Sequence, residues 1–493
     1  MTVGIDEGGK ARNYLPYNID TLPGLKKTGK ANMSSLSLID LPVNRRKTIS
    51  SAFKKILIAF GGEDSAELSS VLIKTLLKYK IFRPESITLV KGFLFKHCSI
   101  PANIKILDSP DNLKEELYKY DLVFTLFGLT CFEALSANVP VILLNPSNYH
   151  RKLCEDNNLP EIGVCKPLIR KIRYLLNNPE LLINCVKRVV NELELEHSSI
   201  LEHELSQLVF IGRTKKIRNV CPVCNTALNP STARFKLRSY FKCRSCKTVY
   251  LLSFKREKKV YEKDYFNKEY YEQYGKTYVE DFEKIKKMSY NRILHILKLI
   301  KRSESLRVLD VGCAYGPFLK ACKDMGLESS GLDISTVAVN YVKNKLKLPC
   351  TNISFIDYNC GSKFDIITMW FVLEHFKEPG IVLKKVNMSL KLNGVFAFST
   401  PNLKGISGKS DIQNFIKNSP EDHFTILSPG AAKKILRLYG LKVRKIKITG
   451  HHPERFKIRK TKNSILWKLG LYISKIFMLG DTFEIYAVKI KEI

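Results

Sequence analysis

Val308-Leu309-Asp310-Val311-Gly312-Cys313-Ala314-Tyr315-Gly316, followed by Asp333 in Gly331-Leu332-Asp333-Ile334, decides the fold of the second half of this chain. The stretch reads as a buried strand, a glycine turn, the start of a helix, and a second strand that ends in an acid. An open α/β sheet builds a nucleoside pocket this way, at the carboxyl ends of its strands. Glycine lets the backbone approach a ligand closely. The Asp333 carboxylate is placed to accept hydrogen bonds from two ribose hydroxyls. The glycines run Asp-x-Gly-x-x-x-Gly rather than Gly-x-Gly-x-x-Gly, which argues against a dinucleotide-binding dehydrogenase.

Downstream, 353–357 reads as a third strand with Asp357 at its end. A fourth strand, Phe364-Asp365-Ile366-Ile367-Thr368-Met369-Trp370, leads into Phe371-Val372-Leu373-Glu374-His375. Leu392-Asn393-Gly394 turns into a strand that ends at Thr400-Pro401-Asn402, and Glu421-Asp422-His423 precedes a helix over 429–439. Two more strands are expected, one opening at Gly440-Leu441 and one over 482–489. Strung together, these motifs resemble the class I S-adenosylmethionine (SAM) methyltransferases that act on sugars, lipids and quinones. The resemblance is close over 305–445. It implies SAM as cofactor, bound by Asp310, Gly312, Ala314, Gly316, Asp333, Ile334, Asp357 and Trp370. Asp310 would lie near the positively charged methionine moiety, and Asp357 would hold the adenine amino group. Ala314 stands where many members of the family have glycine.

Methyl transfer to a hydroxyl or a carbon acid is helped by a general base near neutral pH. Histidine titrates there, so His423 and His375 are the candidates, with Glu374 beside them in sequence. His423 occupies a Glu/Asp-His position that resembles a catalytic motif of sugar C-methyltransferases. That motif has a tyrosine just upstream, where this chain has Ser419-Pro420, so O- and C-methylation both stay open.

Cys221-Pro222-Val223-Cys224 and Cys243-Arg244-Ser245-Cys246 form C-x2-C-x18-C-x2-C. Four thiolates at this spacing close a tetrahedral zinc site with no open position, hence a structural metal. The segment is basic and carries Phe235, Tyr240 and Phe241, so RNA is a possible partner. Aromatics in so small a unit are more often core. The strand end Met369-Trp370-Phe371-Val372 also lacks the Asn-Pro-Pro-Tyr type of motif that marks base methylation, so nucleic acid is disfavoured. From residue 217 onward the chain is similar to methyltransferases with a zinc ribbon before the SAM domain. Some of these act in antibiotic and surface-polysaccharide pathways. The stretch from Tyr265 to Tyr271 looks like the linker of that subgroup.

The first half alternates strands with helices, which implies a parallel sheet. Phe60-Gly61-Gly62-Glu63-Asp64 and Phe127-Gly128-Leu129-Thr130 each follow a strand and open a helix, where free backbone N–H groups suit a diphosphate. This half resembles the C-terminal lobe of two-lobed UDP-sugar enzymes, notably the UDP-sugar hydrolase of pseudaminic acid biosynthesis. The resemblance implies that Gly61, Gly62, Gly128, Thr130 and Glu133 face a nucleotide sugar. The lobe with that family's catalytic residues is missing here, so a partner chain could supply it.

The expected fold class is α/β: two Rossmann-like units joined by a small zinc ribbon. The expected divisions are 1–48, remnant of a first lobe and connector; 49–212, nucleotide-sugar-binding-like lobe; 213–260, zinc ribbon; 261–304, linker and amphipathic helix; and 305–493, SAM methyltransferase domain. The net charge of +34 suits an anionic partner, although scattered lysines also fit plain compositional bias. Nine of the 13 cysteines are spread singly, unlike a secreted disulfide framework. With no signal-like N-terminus and no long apolar run, a cytoplasmic enzyme is expected. The acceptor would be a sugar nucleotide or glycan. The alternatives are an RNA methyltransferase and a non-catalytic sugar-nucleotide-binding scaffold. Residues 431–475 carry 14 Lys and Arg against Glu454 alone. The apolar stretch 464–479 within and beyond them reads as a lid between the last two strands, or as a peripheral membrane contact.

Overall fold

The computed structural model describes residues 1–23, 29–64, 66–95, 100–163, 168–196, 199–214, 216–255, 275–300, 305–456 and 465–493. The proposed linker at 265–271 lies outside them. The chain divides into two compact units, Thr2–Phe210 and Ile211–Ile493 with Met1.

The first unit opens with a three-stranded parallel sheet: β1 (Val3–Ile5), β2 (Tyr17–Asp20) and β3 (Met33–Ser34). The expected connector 1–48 therefore has structure of its own. A buried Arg12–Asp20 ion pair, 2.6 Å long, holds it together. The main sheet comprises β4 (Ile56–Ala59), β5 (Ile87–Lys91), β6 (Lys105–Asp108), β7 (Leu122–Thr125) and β8 (Val141–Leu143). Its order is β6-β5-β4-β7-β8, all parallel. Alternate residues feed two cores, Ile56, Ile58 and Phe124 on one face and Leu57, Val123 and Val141 on the other. Burial of both faces explains why these strands are continuous apolar runs.

The second unit begins with a ribbon hairpin sheet, β9 (Ser231–Phe235), β10 (Arg238–Lys242) and β11 (Val249–Ser253). After the helix Phe282–Leu297 come β12 (Arg307–Val311), β13 (Glu328–Asp333), β14 (Cys350–Asn352), β15 (Phe364–Trp370), β16 (Leu390–Pro401), β17 (Thr425–Ile426), β18 (Leu441–Thr449) and β19 (Thr482–Lys489). The large sheet has the order β14-β13-β12-β15-β16-β19-β18, parallel except for β19, which runs against both neighbours. The third strand is thus 350–352, not 353–357. The latter residues form a turn in which Phe355 plugs the core and Asp357 is exposed.

The ribbon is not a separate body within this unit. Cys221, Val223, Phe241, Cys243, Cys246 and Tyr250 share one core with Leu309, Ile367 and Phe396 of the large sheet. β17 leaves the region of the large sheet and pairs antiparallel with β11, as a fourth strand of the ribbon sheet. Among the described residues no helix is long and apolar enough to cross a membrane.

Candidate functional site

The glycine turn after β12 forms as its sequence implies. Gly312 and Gly316 adopt φ of +69° and +77°, the left-handed region. A Cβ on Gly312 would lie 2.5 Å from Val372 Cγ2, so no larger residue fits without moving the β15 end. Ala314 also sits there, at φ +48°. Its backbone is held by Asp333, whose Oδ2 accepts from Ala314 N at 2.8 Å while Oδ1 accepts from Ser335 N at 2.8 Å. An L-residue pays roughly 1–2 kcal/mol for this conformation. Ala314→Gly should therefore raise stability by about 0.5–1 kcal/mol after the extra unfolded-state entropy of glycine is subtracted. A thermal melt of the variant checks this, and an unchanged or lower melting temperature would contradict it.

Asp310 is 2% exposed at the end of β12, and its Oδ1 accepts from Thr368 Oγ1 on β15 at 2.6 Å. Burial pushes its carboxyl up to about 7, against the pull of Thr368 and Arg292. A buried acid so poised favours a cation beside it. Asp333 is 8% exposed, and burial raises its pKa too. Each of its oxygens has a second lone pair beyond the backbone amide it accepts from. Ile334, next to it, is exposed and apolar, suited to a purine face. The carboxylates, the tight turn and this apolar wall fit SAM.

Trp370 ends β15 but turns into the core beneath the helix Phe282–Leu297. It packs against Phe318 and Tyr486, with the Arg292 guanidinium 4.1 Å from its ring centroid. Arg292 is fixed by a buried ion pair with Glu484 at 2.9 Å. Asp357 is distant in kind from the other expected ligands, being an exposed turn residue.

Across the ends of β15 and β16 lies a set of buried polar atoms. Among the described residues, Trp370 Nε1 and Ser399 Oγ are buried without a hydrogen-bond partner, while the buried Glu374 carboxyl and Thr400 hydroxyl are left to each other. Trp370 and Ser399 are direct neighbours in the sheet. Orphaned buried polar groups are rare, and these fall on two faces of the sheet: Trp370 and Ser399 on the face of Val395 and Ala397, Thr400 on the face of Phe396 and Phe398. Phe371, between Trp370 and Val372, is also left-handed, at φ +58°. Such backbone outliers gather at functional sites.

The same strand ends carry the titratable groups. Glu374 is 1% exposed, and burial pushes its carboxyl up to about 7. His375 Nδ1 lies 2.9 Å from Asp422 Oδ2. Burial lowers the pKa of His375, but Asp422 and Glu374 outweigh it and the net shift is upward. His423 meets His375 edge-on, with centroids 4.8 Å apart. Burial and then the charge on His375 depress His423 to about 4. Glu374, His375 and His423 therefore do come together as the sequence implies. Asp422 is the residue whose role the sequence concealed, because its partner His375 is remote in the chain. Thr368, Ser399 and Thr400 left a faint signal, as lone polar residues in apolar strands.

The four cysteines converge. Cys221 and Cys246 Sγ are 3.6 Å apart, Cys224 and Cys243 Sγ 3.5 Å, and all four thiols lie within 4.8 Å of one another. A zinc tetrahedron with bonds of about 2.3 Å has edges of about 3.8 Å, so the donor set fits that metal. Matching turns support the two knuckles: Asn225 N donates to Cys221 O and Lys247 N to Cys243 O. The ribbon then reaches the titratable cluster. Leu251 N donates to Phe424 O, and Phe424 N donates to Glu374 O. Tyr439 Oη donates to Val223 O at 2.5 Å.

In the first unit, a cleft of about 220 Å³ opens at the carboxyl ends of β4 and β7, where the strand order changes direction. Gly62 lines it with Glu63, Asp64 and Leu126, whereas Gly61, Gly128, Thr130 and Glu133 are not among its lining residues. A side chain at Gly61, Gly62 or Gly128 would meet only open space. Two N–H groups at the start of the helix after Gly61-Gly62 are already taken. Asp64 Oδ1 accepts from Leu68 N at 2.9 Å and its Oδ2 from Ser69 N at 3.0 Å. This carboxylate takes the place expected for a phosphate, and it repels one. The helix Leu129–Ser136 has no side-chain cap at Gly128, and burial raises the pKa of Glu133 on it.

Residues 284–446 match the family described as a methyltransferase domain. A ubiquinone biosynthesis O-methyltransferase of Coxiella burnetii is 28% identical over 175 residues, 32% of this chain and 74% of that protein. An uncharacterized protein of Methanocaldococcus jannaschii is 35% identical over 120 residues, 22% of this chain and 24% of that protein. The crystal structure of a SAM dependent methyltransferase from Archaeoglobus fulgidus covers 43% of this chain and 100% of its own, with 22% identity and a TM-score of 0.32. With the family match running from the helix before β12 into β18 and the strand-end carboxylates in place, residues 284–446 are a methyltransferase domain of the SAM-dependent class.

Proposed function

We propose that the chain methylates a sugar nucleotide or glycan used in cell-surface polysaccharide synthesis, with zinc as a structural metal in the ribbon. The observation that carries a polar acceptor is the polar group of Glu374, His375, Thr400, Asp422 and His423 at the ends of β15 and β16. A polyhydroxylated ring would add donors and acceptors beyond the one bond that Glu374 and Thr400 offer each other. The sequence resemblance of the first unit to UDP-sugar enzymes is in keeping with the same reading.

SAM, when bound, supplies an activated methyl group on a sulfonium. Asp310, Gly312, Ala314, Gly316, Asp333 and Ile334 would hold it. The chain's own residues must then align the acceptor and remove its proton. His423 stands first among the bases by motif, yet its depressed pKa makes it a weak proton acceptor. His375, with Asp422 behind Nδ1, has the orientation and raised basicity of a general base. Its other ring nitrogen takes the proton, and Asp422 stabilises the imidazolium that forms. Buried Glu374 adds a neighbouring negative charge whenever it ionises.

The pH profile tests the assignment. A base works when neutral, so turnover should rise with pH through a midpoint above the ordinary imidazole value of about 6.5. Asp422→Asn should move that midpoint down and slow turnover roughly tenfold to a hundredfold. His375→Ala should lose turnover while keeping SAM affinity. A midpoint near 4 would instead identify His423 as the base. Methyl transfer confined to RNA would overturn the sugar reading.

A further inference from the structure

We propose that the helix Ile465–Ile476, between β18 and β19, docks the protein on an anionic lipid surface; this goes beyond the acceptor reading and does not depend on it. A surface helix normally turns its apolar stripe inward and its polar face to water. This helix is apolar on its outer face as well as its inner one. Ile465 (85% exposed), Leu466 (63%), Leu469 (51%), Tyr472 (63%) and Ile476 (54%) form one outward stripe, continued by Phe477 (65%). The inward side carries buried Gly470 and Ser474 beside half-buried Trp467 and Leu471. Ser474 Oγ is 2.8 Å from His451 Nδ1, so the seat of the helix is polar and fixed.

Exposed Lys468 and Lys475 flank the stripe. β18, just before, adds exposed Lys442 and Arg444, while its Lys445 and Lys447 are engaged by His295 and Glu484. The stretch 431–475 contains one acid, Glu454. An apolar stripe edged by lysine suits insertion at the level of lipid headgroups, with the cations against anionic phosphates. At 12 residues the helix is too short to span a bilayer. A second copy of this chain is a poorer occupant. A two-fold contact would bring each copy's lysines against an identical basic patch, on chains with a net charge of +34. Beyond the helix, Ile406 N donates to Leu479 O at 2.9 Å, so its end is tied to the segment that follows the Thr400 strand end. A membrane-seated helix would therefore hold the acceptor side of the site near lipid-borne acceptors.

The test uses the full chain and sedimentation with vesicles of phosphatidylcholine, with or without phosphatidylglycerol. Binding is expected only with phosphatidylglycerol and should weaken with salt. Leu469→Glu with Ile476→Glu should weaken it at least about tenfold, because two apolar side chains lose their burial. Lys468→Glu with Lys475→Glu should weaken it by about fivefold or more per residue. Both pairs lie at exposed positions, and both variants should keep the wild-type melting temperature and SAM affinity. Three outcomes would overturn the proposal: no vesicle binding; a dimer in sedimentation velocity that the apolar variant dissociates; or reduced SAM affinity in that variant, which would make the helix a lid.

Discussion

Asp333→Ala should weaken SAM binding by roughly two to four orders of magnitude. The carboxylate has two duties. It accepts from Ala314 N and Ser335 N, each at 2.8 Å, and so pins a non-glycine residue in a left-handed turn. In the proposed site its remaining lone pairs would accept from two ribose hydroxyls. Hydrogen bonds to a charged group contribute about 1.5–3 kcal/mol each, and two lost bonds give that range. Asp333→Asn separates the duties. The amide keeps one acceptor oxygen but turns an NH2 toward a backbone donor, so affinity should fall nearly as far while the fold survives better. Titration calorimetry with SAM measures both, and wild-type affinity in Asp333→Ala would remove this acid from the site.

Cys243→Ser, or removal of metal by a chelator, should collapse the ribbon and abolish methyl transfer. Structural zinc contributes on the order of 10 kcal/mol to the folding of isolated zinc peptides. Here the thiols are part of the main core: Cys221 and Cys243 are fully buried, and Cys246 is 2% exposed. Loss of the metal would leave four thiols packed together without the ion that binds them, and Cys243→Ser would leave three. It would also release β11, the strand that pairs with β17 directly after Asp422 and His423. The expected result is one zinc per chain by elemental analysis. Zinc loss should bring a large fall in melting temperature and loss of turnover. A metal-free chain with normal melting and normal turnover would contradict a structural zinc.

The parts legible in the sequence were those with local signatures. The turn after β12 is written in Gly312 and Gly316, and the knuckles in paired C-x-x-C motifs. Parallel strands buried on both faces show as apolar runs. The errors arose where local pattern and tertiary demand differ. Ile353 and Phe355 alternate like a strand, yet Phe355 is a plug from a turn, and the edge strand Cys350–Asn352 carries exposed Thr351 and Asn352. β17 has two residues, too few for any periodicity, and it exists because the ribbon edge offers it a partner. Nothing in the sequence says that Asp64 folds back to cap its own helix, where the pattern at Gly61-Gly62 suggested open amides. The Asp422–His375 contact joins segments brought together only by the sheet, which is why motif position pointed to His423 first.

Incubation of the full chain with methyl-labelled SAM and a mixture of nucleotide sugars, glycans and RNA, read by mass spectrometry, tests the central claim most directly. Label is expected on a sugar ring, in the wild type and not in His375→Ala. Label on RNA alone, or no transfer to any sugar by a protein that binds SAM, would contradict it.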